Sequence, residues 1–306
     1  MSFVNAQTIP KSIDKPITPT KTSTKNKLVQ KKSKNWKLRY SYIDTESYEG
    51  FIRVQRYVKD ANGDYNRTVM GFVNLQGEEV IPCIYDGGVC DFKDGIAAVS
   101  LEINDIRKQG FINRQGKVII PIIYENSDAA CLDFDDSCLN LDGRSTVWVI
   151  LNDKCGFIDK TGKEVITIKY DNLFCFEEGL AGAKLDGKYG FINKSEEIII
   201  PFKYENASDF SEGLAAVQLN GKYGCINKSG VVAIPFKYDY IFDFSNGMAS
   251  VKLNGKCGFI NAVGEVVISI KYDQIFYYED EKIFRAKLNG KSMILDKNGN
   301  CVKDCD

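Results

Sequence analysis

The sequence predicts an all-β chain of about seven tandem β-meander repeats of ~34 residues, with a propeller-like ring favoured over an open β-solenoid. Three observations carry that prediction. Gly156, Gly190, Gly224 and Gly258 each fall 34 residues after the last, inside near-identical stretches such as Gly187-Lys-Tyr-Gly-Phe-Ile-Asn and Gly221-Lys-Tyr-Gly-Cys-Ile-Asn. Between those copies apolar residues alternate with period two, as a strand requires. Asn-Gly or Asp-Gly dipeptides then recur where a two-residue hairpin turn would sit.

The first strand of a unit reads from Ala97, Ala181, Ala215 or Ala249 to Val99, Ala183, Val217 or Val251, then to Leu101, Leu185, Leu219 or Leu253. Its opposite face starts small, with Ala98, Gly182, Ala216 and Ser250, which suggests a closely approaching neighbour sheet. Asp186-Gly187, Asn220-Gly221, Asn254-Gly255 and Asn289-Gly290 tolerate positive φ at both central positions and predict type I′ turns. The second strand ends at Thr161-Gly162, Ser229-Gly230 or Asn298-Gly299, a further turn signal.

The third strand is the most apolar, as in Ile198-Ile199-Ile200 and Val231-Val232-Ala233-Ile234. An unbroken apolar run predicts burial on both faces. Pro82, Pro121, Pro201 and Pro235 recur within it, at a position expected to need no ladder donor. Each unit closes on Tyr-Asp or Tyr-Glu, from Tyr85-Asp86 to Tyr272-Asp273, with the tyrosine read as a core aromatic whose hydroxyl is satisfied. An Asp-Phe segment (Asp91-Phe92, Asp209-Phe210, Asp243-Phe244) is the candidate for a short fourth strand.

Second-strand glycine positions are expected at Gly71, Gly110, Gly156, Gly190, Gly224, Gly258 and a degenerate Ser292. The early copies are longer. Gly50 to Gly71 spans 21 residues against 11 from Gly213 to Gly224, Gly95 to Gly110 spans 15, and Tyr124 to Ser145 spans 21 against 9 from Tyr204 to Gly213. Insertions in an array map to loops, often on a binding face.

Composition bounds the function. Lys+Arg 40 against Asp+Glu 41 gives a net charge of -1, so no nucleic acid or membrane partner is expected. Residues 1–35 read as a disordered, basic Ser/Thr/Lys-rich leader, and 36–306 as the repeat domain. The leader lacks the apolar run of a secretory signal. The ten cysteines include Cys155 and Cys257 at the place of Tyr189 and Tyr223, and Cys225 at the place of Phe191. They read as small hydrophobes in a reducing, cytoplasmic compartment, with Cys301 and Cys305 as unpaired terminal thiols.

These copies resemble the bacterial WG (KWG) repeat, whose core runs close to Gly-Lys-Trp-Gly-Phe-Ile-Asp and then Gly-x-x-Val-Ile-Pro-x-x-Tyr-Asp. The resemblance covers roughly residues 40–303, but no copy keeps the tryptophan, whose place holds Met70, Gln109, Cys155, Tyr189, Tyr223, Cys257 and Lys291. It implies an all-β interaction module and brings no catalytic residues.

No histidine is present, which removes Ser-His-Asp and Cys-His nucleophilic systems and histidine metal sites. No cofactor or metal is expected. Asp86, Asp171, Asp239 and Asp273 could in principle serve paired-carboxylate glycoside hydrolysis, but one acid per unit in one role reads as a turn-fixing residue. The least repetitive segments are the two hairpin insertions, so Tyr57, Lys59, Tyr65, Arg67, Arg107 and Lys108 are the candidate binding residues. The expectation is a non-enzymatic scaffold for protein–protein interaction. A carbohydrate or cell-surface binding module and a carboxylate-dependent glycosidase are the alternatives.

Overall fold

The four turns predicted above as type I′ have positive φ at both positions, from Asp186 at 50° and Gly187 at 77° to Asn289 at 51° and Gly290 at 82°. These turns close antiparallel hairpins throughout a computed structural model that describes residues 36–59, 63, 65–125, 140–141 and 144–305. The predicted leader at 1–35 lies outside the described residues. Residues 39–306 form one compact part of the chain.

Seven units follow one another. Unit five shows the pattern: a two-residue strand Asn206–Ala207, then Leu214–Leu219, Lys222–Asn227 and Val232–Tyr238, hydrogen-bonded in that order. Units one (42–86), four (172–204), six (240–272) and seven (274–303) are likewise four-stranded sheets. Units two (96–125) and three (140–170) share one seven-stranded sheet, because Glu125 pairs directly with Ile150. The short strand begins immediately after the Tyr-Asp or Tyr-Glu pair. Asp209-Phe210 and Asp243-Phe244 therefore lie beyond it, next to isolated bridges at Ser211 and Ser245, and are not the fourth strand.

The core lies between units. Tyr223, Cys225, Ile234 and Tyr238 of unit five pack with Ile241, Ala249, Val251 and Ile260 of unit six, and equivalent residues fill five more such clusters, from units one and two through to six and seven. Full burial of each side chain of this size contributes about 1.5–3 kcal/mol, and one unit alone supplies only half of each cluster. No cluster among the described residues joins unit seven to unit one. Removing residues 213–246 fuses units five and six in register and deletes a single cluster. The shortened chain is expected to keep one cooperative unfolding transition at a lower Tm, read by circular dichroism; a closed ring would instead lose cooperativity.

Two repeated contacts bind the units more tightly than apolar packing alone. The second-turn glycine of units two, three, five, six and seven lies against the central isoleucine of the unit before it: a Cβ on Gly230 would lie 3.4 Å from Ile200, and one on Gly264 would lie 3.5 Å from Ile234. Glu196 stands at the same place in unit four, at φ 63°. Its carboxylate reaches back to unit three, accepting from Thr167 Oγ1 at 2.8 Å and Tyr170 Oη at 2.9 Å. On another edge, Glu212 accepts the amide of Gly247 at 2.9 Å and Glu178 that of Gly213 at 3.1 Å.

The third strand departs from expectation. Ile198 is 58% and Val231 60% exposed, and only the central isoleucine and the closing tyrosine are buried. This strand is the outer edge of its sheet, and only the face carrying the central isoleucine and the closing tyrosine packs against the next unit. Pro201 and Pro235 sit there exposed, where no neighbour needs their missing N–H. Lys203 and Lys237 lie over the rings of Tyr204 and Tyr238 at 5.2 and 5.1 Å, placing cations along an edge that would otherwise invite strand pairing.

The recurring second-strand glycine has a steric cause. Each third strand is irregular in register where it crosses that glycine, and its backbone comes so close that a Cβ on Gly224 would lie 2.6 Å from the Ile234 carbonyl oxygen. In unit seven one extra residue precedes the first strand. Met293, opposite Ala286, holds the glycine place and Ser292 the tryptophan place of the motif, each one residue later than predicted. Unit seven also replaces the isoleucine of the third strand with Lys303, opposite Ile294. Ser292 and Lys303 are both exposed.

The small first-strand position is filled from within its own unit. A Cβ on Gly182 would meet the Phe174 ring at 2.5 Å, and the Ala216 amide donates to Ser208 Oγ at 3.1 Å. The closing tyrosines are core residues as expected, from Tyr238 at 0% to Tyr124 at 6% exposed. The Tyr238 hydroxyl nevertheless has no partner, so hydroxyl satisfaction is not general.

Cys155 and Cys225 are buried free thiols, and burial pushes them up to about 11 and about 12 respectively. Cys301 and Cys305, read as unpaired, are joined in a disulfide, and Cys90 and Cys175 are also disulfide-bonded. Three residues lie between the terminal pair, whose Cα atoms are 5.7 Å apart, inside the range a disulfide spans. No helix among the described residues is long and apolar enough to cross a membrane.

Candidate functional site

Among the described residues, both hairpin insertions continue as paired strands. In unit one the pairing continues through Tyr57↔Thr68, Val58↔Arg67 and Lys59↔Tyr65. In unit two it continues through Glu102↔Arg107 and Ile103↔Ile106, closing on Asn104 and Asp105 at positive φ. Both hairpins extend beyond the length of those in units four to six. Tyr57 is 58%, Val58 40% and Ile106 51% exposed.

The structure brings these hairpins together through Asp86. Its carboxylate accepts from Arg67 Nε and, at 2.6 Å, from Arg67 Nη2 in unit one, and from the Glu102 amide at 2.9 Å in unit two. Asp86 is buried, at 5% exposed, and the bidentate guanidinium offsets its desolvation. Arg107 lies close by: a Cβ on Gly87 would be 3.7 Å from its Nη2. Lys108 pairs with Glu125, whose carboxyl that ion pair holds below its ordinary range, opposed by partial burial and helped by the Asn152 and Asp153 amides.

The six candidates therefore separate by role. Arg67 and Lys108 hold buried or half-buried acids and are structural. Tyr57, Lys59 and Arg107 stand at the surface of the paired hairpins, with Lys59 and Arg107 exposed. The side chain of Tyr65 lies outside the described residues. Sequence reasoning missed Val58 and Ile106, although each is an apolar residue inside an insertion already singled out.

The recurring acids are engaged in folding. Asp239 of unit five binds Lys222 Nζ at 2.7 Å in its own unit and the Gly255 amide at 3.2 Å in the turn of unit six. Asp171 does the same with Lys154 and, at 2.9 Å, with Gly187 of unit four, and Asp273 with Lys256 at 2.6 Å. In all three the lysine is the chief cause holding the carboxyl below its ordinary range. Each acid thus fixes the hairpin turn of the following unit, the turn-fixing role predicted for it, one unit further along. Among the described residues no group of His, Cys, Asp and Glu is placed to hold a metal ion.

The family of the chain follows from its repeated pattern. A model of the WG containing repeat matches residues 70–102, 110–131, 156–189, 189–223, 223–257 and 258–291. The chain belongs to the WG repeat family. Those matches fall on units one to seven, and the motif's tryptophan place in units four and five is taken by Tyr189 and Tyr223, 8% and 7% exposed. No curated protein matches the sequence. Among solved structures, a eukaryotic initiation factor aligns at 9% identity and TM-score 0.43, over 86% of this chain and 77% of that one. Hsv2p of Kluyveromyces lactis aligns at 11% and 0.37, over 68% and 74%. The AfRom2 CNH domain aligns at 8% and 0.35, over 71% and 83%. At these values nothing of their roles is carried over.

Proposed function

We propose that this WG repeat protein is a non-enzymatic scaffold that binds another protein through the joined hairpins of units one and two. The observation that supports the reading is the exposure of Tyr57, Val58 and Ile106 on two extended hairpins that Asp86 holds together. Apolar side chains flanked by Lys59 and Arg107 suit a partner surface with an apolar centre and an acidic rim, the arrangement of a protein–protein hot spot. A rigid, strand-built presentation also lowers the ordering cost of binding. Turn-fixing by Asp171, Asp239 and Asp273 favours this reading over a carboxylate-dependent hydrolase.

The test compares proteins retained by the intact chain with those retained by a Tyr57→Ser, Ile106→Ser variant. Both positions are exposed, so stability should change by no more than about 0.5 kcal/mol, while the specific partner should be lost. A partner retained equally by both proteins would move the binding face elsewhere.

A further inference from the structure

Unit six lacks the large side chain that each of units three to five supplies at one of two neighbouring positions, and a cavity lies there. In units four and five the motif's tryptophan place is filled by Tyr189 and Tyr223, whose hydroxyls accept from Asn172 and Asn206 Nδ2 at 3.0 and 2.9 Å. Phe174 stacks on Tyr189 with centroids 5.5 Å apart. In unit three the place holds Cys155, but Trp148 occupies the small first-strand position and packs in the same cluster. Unit six has Ser250 at the one position and Cys257 at the other, so neither supplies a large side chain.

The result is a cavity of ≈ 600 Å³ between units six and seven, within the size range of a ligand site. Its buried lining is apolar, with Phe259 and Ile275 at 7% and 4% exposed and Met248 and Cys257 half-buried. Two phenyl rings, Phe242 and Phe276, stand in its lining while 55% and 60% exposed. Tyr240 supports Phe242 edge-on at 4.7 Å. The charged lining is three acids, Asp243, Asp273 and Glu279, against Lys252 alone. Asp273 is already paired with Lys256, which leaves Asp243 and Glu279 as the acids able to meet a newcomer.

We propose that this cavity binds a basic side chain, arginine or lysine, presented by an extended segment of a partner protein. The methylene stem of such a side chain matches the phenyl faces. Its charge is drawn to the ring faces and to Asp243 and Glu279. A neutral sugar would also stack on exposed phenyl rings, but it would gain nothing from the surplus of acid. The proposal extends the protein-binding reading above to a second place, between units six and seven, and the peptide assay tests it apart from the hairpins of units one and two.

A dye-labelled peptide, acetyl-Gly-Arg-Gly-amide, is the probe, with its citrulline counterpart and a neutral oligosaccharide as comparisons. Anisotropy should show the arginine peptide binding the intact protein and the citrulline peptide binding at least about tenfold more weakly, the loss of a charge-assisted contact. Alkylation of Cys257, read by peptide mapping, should slow by about tenfold at a peptide concentration roughly ten times Kd, while half-buried Cys83 reacts at an unchanged rate. Cys257→Tyr restores the residue found in units four and five, and it should retain the fold and abolish binding. Phe276→Ala, at an exposed position, should weaken binding with no change in Tm. Equal binding of the citrulline peptide, protection of Cys257 by the oligosaccharide alone, or no protection by any probe would overturn the proposal.

Discussion

Gly224→Ala should destabilise the protein by about 3 kcal/mol or more, measured as the loss of unfolding free energy in urea. The added Cβ would lie 2.6 Å from the Ile234 carbonyl oxygen and 3.0 Å from the Phe236 amide nitrogen. Backbone atoms cannot turn aside as a flexible side chain can, so the third strand would have to lift from the second. That strand carries Ile234 and Tyr238 into the cluster between units five and six, and the disturbance would pass to two neighbouring units. Gly255→Ala is the internal comparison. Its φ of 76° opposes a side chain, but no atom lies within 4 Å of the new Cβ, so it should cost only about 1 kcal/mol. Equal losses at the two positions would show that the close strand crossing has no energetic weight.

Asp209→Asn should raise stability at neutral pH. Burial, and then the charges of Glu177 and Asp243, push the Asp209 carboxyl up to about 6, and its Oδ1 is buried without a partner. Because the folded-state value lies above the unfolded one, the folded chain holds a proton between pH 4 and 6 that the unfolded chain has released. Stability attributable to this group therefore falls as pH rises through that window, and the full penalty is present above it. With a discount for the half-exposed side chain, replacing it by asparagine should gain about 1–2 kcal/mol at pH 8 and nothing at pH 3.5. Thermal unfolding at the two pH values reads the difference directly. A gain that persisted at pH 3.5 would point to a packing effect in place of charge.

The repeat, its hairpin turns and the inter-unit core were legible because local signals decide them. Asn-Gly and Asp-Gly pairs adopt positive φ at little cost, and period-two apolar residues favour one buried face. The third strand was misread for a physical reason. Ile198 and Val231 look as apolar as a doubly covered strand, but coverage depends on which units pack above and below a sheet, and only one face of this strand meets the next unit. Lys108 and Arg67 were legible as insertion residues and not as partners of Glu125 and Asp86, since those pairings depend on register. The cavity left one trace in the sequence: unit six alone among units three to six combines a small first-strand residue with a small residue at the tryptophan place. Reading the copies against one another, position by position and in pairs, would have found it.

The exposed serine and lysine of unit seven bear on how such a chain could lengthen. A duplicate of residues 213–246 inserted between units five and six would find a complementary surface before it and another after it. The same duplicate appended behind unit seven would meet Ser292 and Lys303 where its predecessors meet tyrosine or cysteine and isoleucine. A new copy placed between units five and six therefore meets apolar partners on both sides, whereas one placed against unit seven meets an exposed serine and lysine instead.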